Sequence, residues 1–226
     1  MTISPVDFAS LLCSRLCHDL LSPVGALNNG LELLADETDP AMRQRCMELL
    51  ADSARTSANK LKFFRLAFGA AGSFGESVDP AEARGAIEGL LSDARRTTLG
   101  WLVEAASLPK TAVKALLNLS LIANEALVRG GTLDVGAEQG ETQLEIVVRI
   151  AGPRIMLDPV LRSMLVDGPG DEPVGSRSAA AFLVHTLVAE ANGEVLVSEP
   201  AEGVMIFGAV LRPPAGTHAA VPAMAG

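Results

Sequence analysis

Residues Arg15 to Leu34 read RLCHDLLSPVGALNNGLELL, and the periodicity of this run decides the fold. Together with the residues just before it, Leu12, Leu16, Leu20, Pro23, Leu27, Leu31 and Leu34 recur at helical spacing and form one apolar stripe. A single long amphipathic helix is therefore predicted from Val6 to about Leu34. The polar stretch Asp36-Glu37-Thr38-Asp39-Pro40 follows, and Asp39 before Pro40 is a ready N-cap and first-turn pair for a second helix from Ala41 to about Phe68. The stripe of that helix, Met42, Cys46, Leu49, Ser53, Ser57, Leu61, Phe64 and Phe68, is apolar at both ends and small or polar in the middle. A hairpin of two such helices buries too little surface alone. It is expected to pair with a second copy as a four-helix bundle, which makes the protein a homodimer.

Gly69-Ala-Ala-Gly-Ser-Phe-Gly75 reads as a glycine-rich hinge, and the periodicity changes beyond it. The chain is accordingly divided into a helical hairpin over 1–70, a second domain over 76–213 and a disordered tail over 214–226. The second domain is predicted to contain helices over Pro80–Leu91, Lys110–Val128, Pro159–Val166 and Ser178–Ala191. Strands are placed over Leu99–Glu104, Thr132–Gly136, Gln143–Ile150, Glu194–Ser198 and Val204–Leu211. This order suggests an α/β sandwich with helices on one face of a mixed sheet, so the whole chain belongs to the α+β class.

Composition narrows the function. In 226 residues, 49% are hydrophobic, enough for one or two cores, and the net charge of -9 comes without a Lys/Arg block. That balance argues against gripping nucleic acid or an acidic membrane face and leaves proteins or small molecules as partners. No apolar run reaches the roughly 18 to 20 residues that span a bilayer, and MTISPVDFAS is not a secretion signal, so a cytoplasmic protein is expected. Cys13, Cys17 and Cys46 do not form a secreted disulfide framework. They are read as reduced, mostly buried thiols in preference to a zinc site.

The chemistry is expected at His18. Its helical neighbours at spacings of three, four and seven are Ser14, Arg15, Ser22 and Gly25, with Asn29 a turn beyond, all polar or small. This face is read as open to solvent and to a visiting protein, away from the leucine stripe. A neutral imidazole is a competent nucleophile for a phosphoryl group, and Asp19 is the candidate to orient the ring or take its proton. Adjacent residues on a helix do not face each other, so Asp19 has to reach around the backbone. His185 and His218 have no such company.

His18-Asp19-Leu-Leu-Ser22-Pro23 resembles the phosphoacceptor box of bacterial sensor histidine kinases. The longer run RLCHDLLSPVGALNNGLELL, with LLNLSLIANEALVRGGTLDV from Leu116 and GSRSAAAFLVHTLVAEANGEVLVSEP from Gly175, is similar to the ChpT-type histidine phosphotransferases over roughly residues 6 to 211. The resemblance implies a dimeric helical bundle followed by a degenerate, kinase-like ATP-binding domain. It implies a phosphoryl group received on His18 from the receiver domain of a hybrid histidine kinase, CckA-like, and passed to response regulators, CtrA-like and CpdR-like. Magnesium would belong to the receiver, with no cofactor or metal held by this chain. The residues fit that erosion: a kinase's magnesium-binding Asn box is reduced to Asn118 and Asn124, and its adenine loop to Arg149-Ile-Ala151-Gly152-Pro153. Its phosphate loop is reduced to Gly175-Ser-Arg177-Ser. Two rival readings remain, an ATP-using histidine kinase and a scaffold that docks receivers without taking phosphate.

Overall fold

The structure is a computed structural model that describes residues 3–69, 77–92, 96–170 and 173–212. The predicted glycine-rich hinge beyond Gly69 and the tail beyond Arg212 lie outside these residues. Helix α1 covers Pro5–Asp36; Ser4 caps it by accepting from the Asp7 amide at 3.1 Å, and Pro5 occupies the first turn. Helix α2 covers Pro40–Phe68, and the Asp39 carboxylate accepts from the amides of Ala41 and Met42, as its place before Pro40 predicts. The two helices pack side by side along their length, and Gly30 lies against Leu50. Among the described residues no helix is long and apolar enough to cross a membrane.

The second region adds β1 (Ser77–Val78), α3 (Pro80–Leu91), β2 (Thr97–Trp101), β3 (Leu108–Pro109), α4 (Lys110–Ala126), β4 (Gly131–Gln139), β5 (Leu144–Ala151), α5 (Pro159–Val166), α6 (Ala179–Glu190), β6 (Glu194–Val197) and β7 (Val204–Leu211). Five strands form one mixed sheet in the order β2-β4-β5-β7-β6, with β2 parallel to β4 and every other pair antiparallel. Strict alternation sets its two faces. Leu133 and Val135 of β4, Ile146, Val148 and Ile150 of β5, and Met205, Phe207 and Ala209 of β7 are buried, whereas Val147 and Ile206 look outward. Helix α4 lies against the buried face and is apolar nearly all round, as a helix covered on every side should be. The expected two-layer sandwich of helices on one face of a mixed sheet is thus the fold.

Boundaries move where the sequence offers little. The strand predicted over Leu99–Glu104 begins two residues earlier and ends at Trp101, because its parallel pairing with β4 starts at Thr97 opposite Gly131. The pairing of Ser77–Val78 with Leu108–Pro109 is two residues long, too short for any period to show. Gly131 begins β4 with φ +148°, where a Cβ would strike the Ala151 carbonyl, so the turn out of α4 requires a residue without a side chain.

The hairpin and the sandwich share one core. Phe63, Phe64, Leu66 and Ala67 of the last turns of α2 are buried among residues of α3 and α4, and the Asn118 side-chain amide donates to the Ala67 carbonyl at 3.2 Å. At the other end Phe8 of α1 meets Phe182 of α6 edge to face, ring centroids 5.0 Å apart. These two attachments fix the first half of α1 beside α4 and α6.

Candidate functional site

His18 lies in the middle of α1 with its side chain 81% exposed. The ring is nevertheless held. Its Nδ1 lies 3.1 Å from Oδ1 of Asp19, the reach around the backbone that their adjacency demands. The other Asp19 oxygen, Oδ2, accepts from Arg15 Nε at 2.9 Å, one helical turn earlier. Arg15 in turn ion-pairs through Nη2 with Glu125, near the C-terminal end of α4. Four side chains therefore run in series from the exposed imidazole to the second region.

The main chain at this point is shaped by Pro23. A proline has no N–H, so Pro23 leaves without its helical partner the carbonyl four residues back, which is that of Asp19. Lys60 of α2 supplies the missing donor: its Nζ bonds the Asp19 carbonyl at 3.0 Å. The proline inside the box and the lysine across the hairpin together fix the backbone that carries the acid.

Ser14, Ser22 and Asn29 are exposed, as a docking face requires, and Gly25 is half-buried with no atom within 4 Å of where its Cβ would stand. Arg15 is different. Read from sequence as part of the open face, it is buried at 7% exposure, because α4 approaches that side of α1. Burial alone would lower its pKa, but Glu125 and Asp19 outweigh the desolvation and raise it, so the guanidinium is charged at any physiological pH. Desolvation by burial in the cleft pushes the Glu125 carboxyl up against the opposing pull of Arg15. Its side chain keeps 40% of its exposure, so solvent screens the pair at that end.

His18, Asp19 and Arg15 form one wall of a cleft of about 380 Å³ whose other wall comes from the second region, including Glu125, Asp158 and Arg177. Of the loop remnants read from the sequence, Ser176 and Arg177 line this cleft. Asn118 is fully buried and donates to the Ala67 and Lys114 carbonyls, which makes it part of the core. Gly152 packs against the Gly130 carbonyl and donates its N–H to the Gly203 carbonyl, and Arg149 pairs with Asp134. Ser178 binds the Gly175 main chain. Asn118, Arg149, Gly152 and Ser178 are thus engaged in holding the fold.

Cys46 is buried between the helices, but Cys13 and Cys17 are exposed, contrary to the expectation of buried thiols. At about 100° per residue they lie about 80–140° around α1 from Pro23 and Gly30, beyond the strip that α2 covers. Among the described residues no three His, Cys, Asp or Glu side chains converge as a metal site. His185 bonds the Leu165 carbonyl and packs beside Gly168, a structural position. What sequence reading missed is Glu125: it lies 110 residues from Arg15, and no local pattern connects them.

A family model for the histidine phosphotransferase C-terminal domain matches residues 80–203. The protein phosphotransferase ChpT of Brucella abortus (strain 2308) is 36% identical over 205 residues, covering 91% of this chain and 96% of that protein. A solved structure of a bacterial phosphotransferase superposes with a TM-score of 0.81 at 33% identity, over 92% of this chain and 98% of that one. A histidine kinase of Acinetobacter baumannii lies further off, at 13% identity and a TM-score of 0.46.

Proposed function

The chain belongs to the histidine phosphotransferase family, and from that premise we propose that it serves a phosphorelay by carrying the phosphoryl group on Nε2 of His18. The observation that carries this reading is an exposed imidazole whose Nδ1 is engaged by a carboxylate, leaving Nε2 facing solvent. With Asp19 accepting from Nδ1–H, the Nε2 lone pair is free to attack the phosphorus of a receiver's aspartyl phosphate. The bond from phosphorus to the aspartate oxygen breaks, and the carboxylate leaves with the bonding pair. The imidazole becomes cationic during the attack, and Asp19 stabilises that charge or takes the Nδ1 proton. Return to a second receiver is the reverse. The magnesium that neutralises the transferring group is the receiver's, and this chain supplies the nucleophile and its orientation.

The proposed assembly is a homodimer. Val24 and Leu31 of α1 are 44% and 57% exposed, and Met47 and Leu61 of α2 are 53% and 49% exposed. Val24 and Leu31 lie about 120–140° around α1 from His18, and Leu61 lies about 160° around α2 from the buried Phe63. Pairing two hairpins through these faces covers the apolar surface while leaving His18 and the second region outside the bundle. The proposed location is the cytoplasm, where receiver domains are reached. ATP has no step in the proposed relay, in keeping with the engagement of Asn118 in the core and of Arg149 with Asp134.

The test is transfer of label. An isolated response-regulator receiver domain, phosphorylated with radiolabelled acetyl phosphate, is mixed with the protein, and acid-labile, base-stable label is expected to appear on this chain. The same chain incubated with radiolabelled ATP and magnesium is expected to stay unlabelled; labelling there would replace the phosphotransferase reading with a kinase. Asp19→Asn keeps an oxygen near the ring but removes the charge, and single-turnover transfer at saturating receiver is expected to slow by about a hundredfold. An unchanged rate would remove Asp19 from the mechanism.

A further inference from the structure

Arg15 is the one buried charged side chain among the described residues. A buried ion pair seldom stabilises more than an apolar side chain of the same volume, so packing does not explain an arginine here. Its geometry does. The planar guanidinium offers Nε to Asp19 and Nη2 to Glu125, a fixed fork that a lysine ammonium lacks. Asp19 needs such a hold, because it is adjacent to His18 and its side chain leaves the helix about 100° away. With one oxygen tied to Arg15, the other is aimed at Nδ1.

We propose that Glu125 and Arg15 are positioning residues for phosphotransfer, through which the second region selects the tautomer of His18 that leaves Nε2 free. The inference rests on the phosphotransferase reading and adds a partner in α4 to it. An unheld imidazole favours the proton on Nε2, which blocks the nucleophilic nitrogen; a fixed carboxylate on Nδ1 reverses that preference. Glu125 keeps Arg15 from swinging out of the cleft, and Lys60 holds the Asp19 main chain from the opposite side. Arg15, Asp19 and Glu125 together present one net negative charge to the ring as the attack makes it cationic. Arg177, on the far wall of the same cleft, is the other cationic side chain that lines it among the described residues.

The full chain is compared as wild type, Glu125→Gln and Arg15→Lys. Nitrogen NMR of the labelled His18 ring reports the tautomer without any receiver, and single-turnover transfer from the acetyl phosphate-charged receiver reports the rate, with receiver affinity measured separately. Both variants are expected to lose Nδ1–H population and to transfer about tenfold more slowly at saturating receiver, with affinity unchanged. In an Asp19→Asn background, Glu125→Gln is expected to add nothing further, since both act through one carboxylate. A wild-type tautomer in both variants overturns the proposal, as does slowing that comes entirely from weaker receiver binding. Should wild type itself accept no label, the phosphotransferase reading falls, and the receiver-free NMR comparison still decides whether Glu125 and Arg15 set the tautomer.

Discussion

His18→Ala is expected to take no label from the phosphorylated receiver while keeping the melting temperature and mass of the wild type. The first half of that expectation follows from chemistry: alanine has no lone pair to attack phosphorus, and the other histidine among the described residues, His185, is tied to the Leu165 carbonyl. The second half follows from exposure. With 81% of its side chain in solvent, His18 contributes little to packing, and replacing it costs the fold no more than an ordinary surface substitution. Calorimetry and light scattering on the mutant separate loss of the acceptor from loss of structure. Acid-labile label persisting on the mutant would move the phosphoacceptor to another residue.

Gly25→Arg is the second large effect. Gly25 lies seven residues after His18 on the same side of α1, about 10 Å along the axis, which the proposed relay puts within the footprint of a receiver docked on His18. Glycine in a helix interior costs roughly 1 kcal/mol relative to alanine, so its presence needs a reason. Close packing within the chain is not that reason, because a Cβ at this position meets nothing within 4 Å. Gly25→Ala is therefore expected to raise the melting temperature and leave transfer intact. Gly25→Arg is expected to preserve mass and fold but reduce receiver affinity by at least a hundredfold, because the long side chain stands where a receiver must approach. Gel-filtration mass and a receiver titration on both variants test this; loss of the dimer in both would mean that Gly25 serves a helix contact between subunits.

The hairpin, the sandwich and His18-Asp19 were legible because each rests on local pattern: a leucine period near 3.6, the Asp39-Pro40 cap, alternation in the strands, and neighbours within one helical turn. Arg15 shows where that kind of reading stops. On a helical wheel it shares the face of His18, and nothing within α1 marks it for burial; only the approach of α4 encloses it. The same holds for the exposed thiols of Cys13 and Cys17, whose side of α1 is decided by where α2 packs. Pro23 was legible as part of the box but not in its consequence, since Lys60, which completes the Asp19 carbonyl, belongs to the other arm of the hairpin. Long-range partners leave no trace at helical or strand spacing, and the positioning network is made of them.

The glycine-rich stretch after Gly69 marks a change of secondary structure, yet the hydrophobic core crosses it. Phe63, Phe64, Leu66 and Ala67 belong by sequence to the hairpin and by packing to the sandwich. Cutting the chain at the glycines would bare two phenylalanines on one fragment and open a hole between α3 and α4 on the other. Removing the second region would also take Glu125 from Arg15. The helical hairpin is therefore no minimal, transplantable module. The histidine stands against a wall that the second region builds, and neither half keeps its contacts without the other.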